Sequence, residues 1–269
     1  MTMISKITES KISEGELGVF WLWQNSYILK SPEGVLVAID PYLVEHAGAQ
    51  HVIAPPMRAE EMQVDYVFCT HDHWDHADHE TLEIIGKSSP KTLFLGTPEC
   101  CQRFLSAGIP GDRTRALGPE ETVALKGFKA TALYSIPPKA SRAIGQTTHY
   151  GYVFDLGHMR LYNFGDSIAQ TVTEPLSVLG AAILYHPEVA IFPIVGDFPE
   201  RRPEDAVAFA KIVKPRVVIP GHYGCFTDRT VDPKIFVDLM KEVRGTEAIV
   251  IERGGLFVYK SQLAESRRP

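Results

Sequence analysis

The stretch Thr70-His71-Asp72-His73-Trp74-Asp75-His76 follows directly on a largely apolar run, residues 64–69. It holds three of the ten histidines in the chain. A strand that ends in a tight loop turns alternate imidazoles toward one point, so His71 and His73 are expected to share one metal ion. Asp75 and His76 lie slightly further along the loop, toward a second ion. Neutral imidazole and carboxylate donors suit Zn²⁺, Mn²⁺ or iron, and the lack of cysteine donors disfavours a closed structural zinc site.

The alternative is a polar surface loop that happens to be rich in histidine. Histidine and aspartate clustered directly behind a buried strand are uncommon, and this favours metal binding. Five other histidines are expected to be ordinary surface or core residues: His46, His51, His79, His158 and His186. Of these, His79 lies close enough behind the stretch to line a pocket.

Around this stretch, short apolar runs alternate with amphipathic segments, which is typical of an α/β fold. Ten runs rich in β-branched and aromatic residues are predicted as strands: 27–29, 35–39, 66–69, 92–95, 129–134, 151–154, 160–164, 189–194, 216–219 and 248–251. Helices are predicted to begin at Pro98, Pro203 and Pro233. Residues 27–40 and 152–166 share an outline of strand, turn, strand and aspartate. A sandwich of two sheets with outer helices would accommodate such a duplication, although two unrelated hairpins would look alike.

Composition excludes several classes of protein. The chain has 269 residues, with 33 acidic against 27 basic side chains, so it lacks the basic excess of a nucleic-acid binder. Its four cysteines form no C-x-x-C pair or disulfide framework. No signal-peptide pattern opens the sequence, and no apolar run is long enough to span a membrane. Without a linker or low-complexity tract, the sequence predicts a single cytoplasmic domain over residues 1–269.

The pattern H-x-H-x-D-H resembles the signature of metallo-β-lactamase-fold hydrolases, and further matching residues follow in the expected order. They are Asp40 in Ile39-Asp40-Pro41, His149 before residues 151–154, Asp166 in Gly165-Asp166-Ser167, and His222 in Pro220-Gly221-His222. The resemblance covers residues 18–250. It implies a four-layered αβ/βα sandwich, in which two mixed β-sheets are flanked by helices.

The resemblance also implies a set of metal ligands. One ion would be held by His71, His73 and His149, a second by Asp75, His76 and His222, with Asp166 bridging the two. Occupancy by one ion or by two stays open. Asp40 would orient a ligand histidine, and its alternative is a strand-end acid that caps a turn with Pro41. His149 stands outside any compact motif, so a surface or core histidine is its alternative.

Within the superfamily the chain is most similar to the L-ascorbate-6-phosphate lactonase, or UlaG-like, branch. Residues 21–25, 31–34, 202–207, 214–220 and 231–234 carry this likeness. It implies a lactonase or esterase that opens a sugar-acid lactone, with or without a phosphate group, by attack of a metal-bound hydroxide. A phosphodiesterase, a di-iron redox protein on the same fold and a non-catalytic metal-binding module are the alternatives. Relatives in this branch commonly assemble from several subunits, so a homo-oligomer is also expected.

Catalytic and substrate contacts are less clearly marked in the sequence. Asp75 is the predicted proton carrier, because a carboxylate can bind a metal and keep one oxygen toward water. Candidate contacts to a small anionic substrate are Lys139, Arg142, Arg201, Arg202 and Tyr223. The first two lie in a long loop that leads to His149, and the arginine pair stands at a helix start, where anions bind well. The alternative for the pair is a solvated helix end that faces neighbouring acids.

Overall fold

The computed structural model describes residues 2–138, 147–195 and 202–261. Within these residues the strands form two seven-stranded sheets. The first sheet has the order β14-β1-β2-β3-β4-β5-β6. Its members are β1 (Glu16–Trp23), β2 (Ser26–Lys30), β3 (Leu36–Ile39), β4 (Tyr66–Cys69), β5 (Leu93–Gly96), β6 (Thr114–Ala116) and β14 (Gly255–Lys260).

The second sheet has the order β13-β12-β11-β10-β9-β8-β7. Its members are β7 (Thr122–Leu125), β8 (Phe128–Tyr134), β9 (Tyr150–Asp155), β10 (Arg160–Asn163), β11 (Val189–Pro193), β12 (Val217–Gly221) and β13 (Glu247–Ala248). Three antiparallel pairings are followed by three parallel ones when the first sheet is read from β14 to β6 and the second from β7 to β13. The two predicted hairpins, β2–β3 and β9–β10, therefore occupy equivalent places in two similar sheets.

Helices cover the outer faces of the two sheets. They are α1 (Met3–Glu9), α2 (His79–Ser88), α3 (Pro98–Ser106), α4 (Ala169–Thr173), α5 (Leu176–Leu184), α6 (Pro203–Val213) and α7 (Pro233–Met240). The helices predicted to begin at a proline do so, with Thr97 and Asp232 accepting a backbone hydrogen bond as N-caps of α3 and α7. Among the described residues, none of the helices combines the length and apolar character needed to cross a bilayer.

Alternation along the strands separates two hydrophobic clusters. In β3, Val37 and Ile39 belong to the cluster between the sheets, whereas Leu36 and Ala38 belong to the cluster under α1, α2 and α3. Phe68 of β4 contacts Tyr152 of the second sheet, with ring centroids 5.0 Å apart. Both sheets mix parallel and antiparallel strands. The predicted α/β class, with two mixed sheets flanked by helices, is confirmed.

The predicted strands need correction at five places. β1, β6, β7 and β14 were not among the predicted strands, although β1 and β14 pair over six residue positions. Seven of the eight β1 residues are buried, so its sequence lacks the polar alternation that marks a half-exposed strand. Of the segment predicted at 248–251, only Ala248 is in a strand, and it pairs with β12 together with Glu247. β13 is therefore a two-residue edge strand, because its ladder ends where the predicted strand begins.

Candidate metal centre

The predicted ligands come together at one edge of the two sheets. Asp40 and the 70–76 stretch directly follow β3 and β4, and His222 directly follows β12. These strands lie in parallel pairs, and loops behind parallel strands meet at the carboxyl edge of a sheet. His149 precedes β9, which runs antiparallel to β10, so the start of β9 lies at the edge where β10 ends. Asp166 follows β10 at that same edge.

His71, His73 and His149 form the first group of potential ligands. One donor atom of each lies within 4.8 Å of the others. The ring centroid of His71 is 4.4 Å from that of His73 and 3.9 Å from that of His149. His71 and His149 are buried, and His73 is half-buried. Three histidines would supply the number of protein ligands that a catalytic zinc site uses, with the fourth position left to water or substrate.

Asp75, His76 and His222 form the second group, and all three side chains are buried. The Nε2 atoms of His76 and His222 are 3.0 Å apart, and each lies 3.8 Å from Oδ2 of Asp75. Asp166 has a donor within 4.8 Å of both His71 and His76, and its Oδ2 lies 3.7 Å from His222 Nε2. Its carboxylate is therefore within reach of both groups, as the predicted bridging role requires.

The donors in the two groups fit a divalent ion. Nε2 of His71 is buried and, within the described residues, has no hydrogen-bond partner. Leaving a buried polar atom unsatisfied costs about 1–3 kcal/mol, and coordination to a metal would satisfy it. Burial and the neighbouring imidazoles, His149 foremost, lower the pKa of His71, which keeps its ring neutral as a metal ligand must be. Burial alone would lower the pKa of His76, but Asp75 and Asp40 outweigh it and raise this pKa to about 10. A bound ion would replace the proton on Nε2 of His76, while Nδ1 keeps the proton that Asp40 accepts.

Asp40 makes the contact that its predicted orienting role requires. Its Oδ2 accepts from Nδ1 of His76 at 2.7 Å and from Asn25 at 2.6 Å. The backbone N–H and the hydroxyl of Thr70 also donate to the Asp40 carboxylate, both at 2.7 Å. The hydrogen bond to Nδ1 directs Nε2 of His76 toward His222 and the centre. The Asp40 carboxylate therefore holds both the start of the 70–76 stretch, at Thr70, and the imidazole of His76 in place.

Gln24 is part of the centre, although the sequence pattern does not predict it as a site residue. Its Nε2 donates to Oδ2 of Asp75 at 2.9 Å and lies 3.2 Å from Nε2 of His222. The residue is fully buried and has a left-handed backbone, with φ of 49°. An amide at the end of an apolar strand is common, so nothing in the local sequence marks it. Only the approach of β1 to the loop after β12 makes it part of the centre.

Of the five predicted substrate contacts, the structure describes Arg202 and Tyr223. Lys139, Arg142 and Arg201 lie outside the described residues. Arg202 is exposed at the start of α6, where its backbone N–H donates to Asp205 at 2.9 Å. Tyr223 is 5% exposed and stacks on Trp21 in the core, with ring centroids 4.7 Å apart. The side chain of Tyr223 therefore packs behind His222, and burial raises its pKa.

Comparison with known proteins agrees with this geometry. A family model described as the beta-lactamase superfamily domain matches residues 18–222, a span that includes Asp40 and all seven predicted ligands. The chain belongs to this superfamily. Curated superfamily relatives from Methanosarcina mazei and Roseiflexus sp. are each named a UPF0173 metal-dependent hydrolase. The first is 26% identical over 243 residues, covering 89% of this chain and 97% of the relative. The second is 28% identical over 216 residues, covering 78% and 84%.

Solved structures show the same superfamily fold. An isothiocyanate hydrolase from Delia radicum gut bacteria superimposes with a TM-score of 0.70 at 17% sequence identity. The match covers 91% of this chain and 99% of that protein. At this identity the likeness concerns the arrangement of sheets and helices.

Proposed function

We propose that this protein is a metal-dependent hydrolase that opens the lactone or ester bond of a small anionic substrate, in the manner of the sugar-acid lactonases. The observation that carries the proposal is the pair of three-donor groups, with Asp166 within reach of both, at one edge of the sandwich. The curated relatives are named metal-dependent hydrolases, which supports the broader class. The lactone substrate rests on the likeness to the UlaG-like branch.

Within this proposal, the chemistry is divided between the metal and the side chains around it. A bound divalent ion polarises the substrate's carbonyl oxygen and lowers the pKa of water. His71, His73 and His149 would hold one ion, and the second group would hold another. Gln24 fixes Oδ2 of Asp75, so the other carboxylate oxygen is left to take a proton from water and pass it to the leaving oxygen.

A cysteine nucleophile is not needed for this reaction. Cys225 follows His222 by three residues but is fully buried, and burial raises the pKa of its thiol. A protonated, buried thiol is a poor nucleophile. Cys69 and Cys100 are likewise fully buried, with pKa values raised by burial. The nucleophile is therefore expected to be water, activated at the histidine-rich edge.

The substrate class is tested with protein loaded separately with Zn²⁺, Mn²⁺ and Fe²⁺. We expect turnover of an aldonolactone, with or without a phosphate group, and little turnover of bis-p-nitrophenyl phosphate. Hydrolysis of the phosphodiester alone would show that the protein is a phosphodiesterase and not a lactonase. Oxygen-dependent oxidation by the iron form without hydrolysis would indicate the di-iron alternative.

The ligand groups are tested by metal content. His73→Ala and His222→Ala should each remove about one equivalent of zinc by mass spectrometry and lower kcat by at least about a hundredfold, because each opens a different donor group. His158→Ala, in the turn between β9 and β10, is the matched control and should keep the wild-type content. Two full equivalents in either of the first two variants would contradict the assignment of ligands.

A further inference from the structure

A cavity of about 650 Å³ opens beside the loop that carries the predicted metal ligands. Trp74, which stands between His73 and Asp75 in the sequence, forms part of its wall. Arg103 of α3 and Arg229 of the loop after β12 also line it. A volume of this size suits a small organic ligand. None of these three side chains was selected as a substrate contact from the sequence.

One wall of the cavity is aromatic. The ring centroid of Trp74 lies 5.3 Å from that of Phe226 and 6.0 Å from that of His46. An isolated antiparallel bridge between His51 and Phe226 joins the segments that carry this wall. Trp74 is 38% exposed, so its indole presents free surface to a ligand. Such a wall favours a flat ring, which can stack or make edge contacts.

The two arginines of the cavity wall differ in their acidic neighbours. Arg229 faces Asp228, with 3.6 Å between Nε and Oδ1, and its guanidinium lies 5.1 Å above the Phe226 ring. Asp78 accepts from His46 at 2.7 Å and caps α2. Arg103 forms no ion pair with any residue in the described ranges. A guanidinium binds a carboxylate through two parallel hydrogen bonds, and the acids Asp78 and Asp228 in the same wall repel a doubly charged phosphate more than a singly charged carboxylate.

We propose that this cavity binds a planar carboxylate, with an aromatic ring against Trp74 and Phe226 and the carboxylate on Arg103. This inference deepens the proposed function and rests on it for the statement that the ligand is part of a substrate. Among the substrates of that function, it favours a lactone or ester that carries a flat group with a carboxylate over a phosphorylated sugar-acid lactone. The location supports this role, because the cavity wall and the ligand loop share Trp74.

The experiment measures binding of benzoate by the change in tryptophan emission. Trp74 is suited to report it, since Trp21 is 5% exposed and Trp23 is fully buried. We expect saturable binding of benzoate, and at least about tenfold weaker binding of benzamide, acetate and phenyl phosphate. Trp74→Phe should remove the optical change. Equal affinity for benzamide, or tighter binding of phenyl phosphate, would overturn the proposal.

Variants of Arg103 separate the cavity from the metal, since a carboxylate also binds zinc directly. Arg103→Gln should weaken benzoate binding at least about tenfold by calorimetry in both zinc-free and zinc-loaded protein, whereas Arg103→Lys should keep part of the affinity. Arg115→Gln, at an exposed arginine of β6, is the matched control. Benzoate binding that requires zinc and is unchanged by Arg103→Gln would overturn the proposal. If the zinc-loaded wild type binds benzoate but hydrolyses none of the aldonolactones, the proposed function alone would be wrong.

Discussion

At the scale of single residues, the centre uses backbone conformations that L-residues rarely adopt. Gln24, Asp40 and His222 have φ of 49°, 43° and 60°, and none of them is glycine. Such conformations cost about 1–3 kcal/mol each and persist only where surrounding contacts hold them. Here the backbone of His222 donates to the carbonyl of Gln24 at 3.1 Å, and Gln24 donates to the carbonyl of Tyr223 at 3.2 Å. The backbone strain is therefore located at residues whose side chains form or support the proposed metal centre.

Asp40→Asn tests how far this carboxylate supports the centre. Asparagine has the same shape, but its amide would face the donors of Thr70, Asn25 and His76. We expect about a 10- to 100-fold loss of zinc affinity in competition with a chelator. Asp65→Asn is the control, because Asp65 accepts from the backbone of Leu36 at 2.8 Å in the same sheet but is remote from the ligands. An equal loss of zinc affinity in both variants would indicate that Asp40→Asn acts by destabilising the fold in general.

Gln24→Leu tests the positioning of Asp75. Without the amide, Oδ2 of Asp75 loses its donor at 2.9 Å, and its carboxylate can turn away from His222. We expect at least about a tenfold loss of zinc affinity at the second group and a shift in the pH profile of kcat. Gln102→Leu, at an exposed glutamine of α3, should change neither. Unchanged zinc affinity together with an unchanged pH profile in Gln24→Leu would refute the role.

At the scale of elements, α2 begins immediately behind the ligand loop. Asp78 caps it, since its Oδ2 accepts from the backbone N–H of Thr81 at 2.8 Å. The other oxygen accepts from His46 at 2.7 Å, which ties the helix start to the cavity wall. A single side chain thus connects the ligand loop, α2 and the cavity.

Asp78→Ala should lower the free energy of unfolding by about 1–2 kcal/mol in urea, the usual effect of losing an N-cap. It should also change the emission of Trp74, because His46 loses its anchor. Asp232→Ala removes the cap of α7 and serves as the matched control. We expect a similar loss of stability there, with Trp74 emission unchanged. An unaltered emission in Asp78→Ala would show that the helix cap and the cavity wall are independent.

At the scale of the whole molecule, the centre joins the two sheets. His71, His73, Asp75 and His76 follow a strand of the first sheet, whereas His149, Asp166 and His222 flank strands of the second. An ion held by donors from both sheets binds only the folded chain. Zinc at about a hundred times its Kd should therefore stabilise the fold by about 2.7 kcal/mol.

This stabilisation is measured by thermal unfolding with added zinc and with a chelator. The melting temperature should rise with zinc and fall when zinc is removed. The double variant His73→Ala/His222→Ala should show no rise, because a donor is missing from each group. A wild-type melting temperature that does not respond to zinc would contradict a centre that joins the sheets.

Local sequence patterns predicted much of the fold. The strand at Tyr66–Cys69 and the starts of α3, α6 and α7 lie where predicted, because alternation and proline caps act over a few neighbouring residues. β1 was missed, since a strand buried on both faces lacks the alternation used to recognise it. α2 was also missed, although Asp78 stands at its N-cap.

The sequence by itself determined the donor types and the compact loop, because His71 to His76 lie within one turn behind a strand. The family pattern added His149, Asp166 and His222, but local periodicity could not bring them together. Only the tertiary structure decided that Gln24 faces Asp75, 51 positions away, and that Arg103 and Arg229 line one cavity. Contacts between distant segments depend on how the two sheets pack, and a pattern that repeats over a few residues carries no information about that packing.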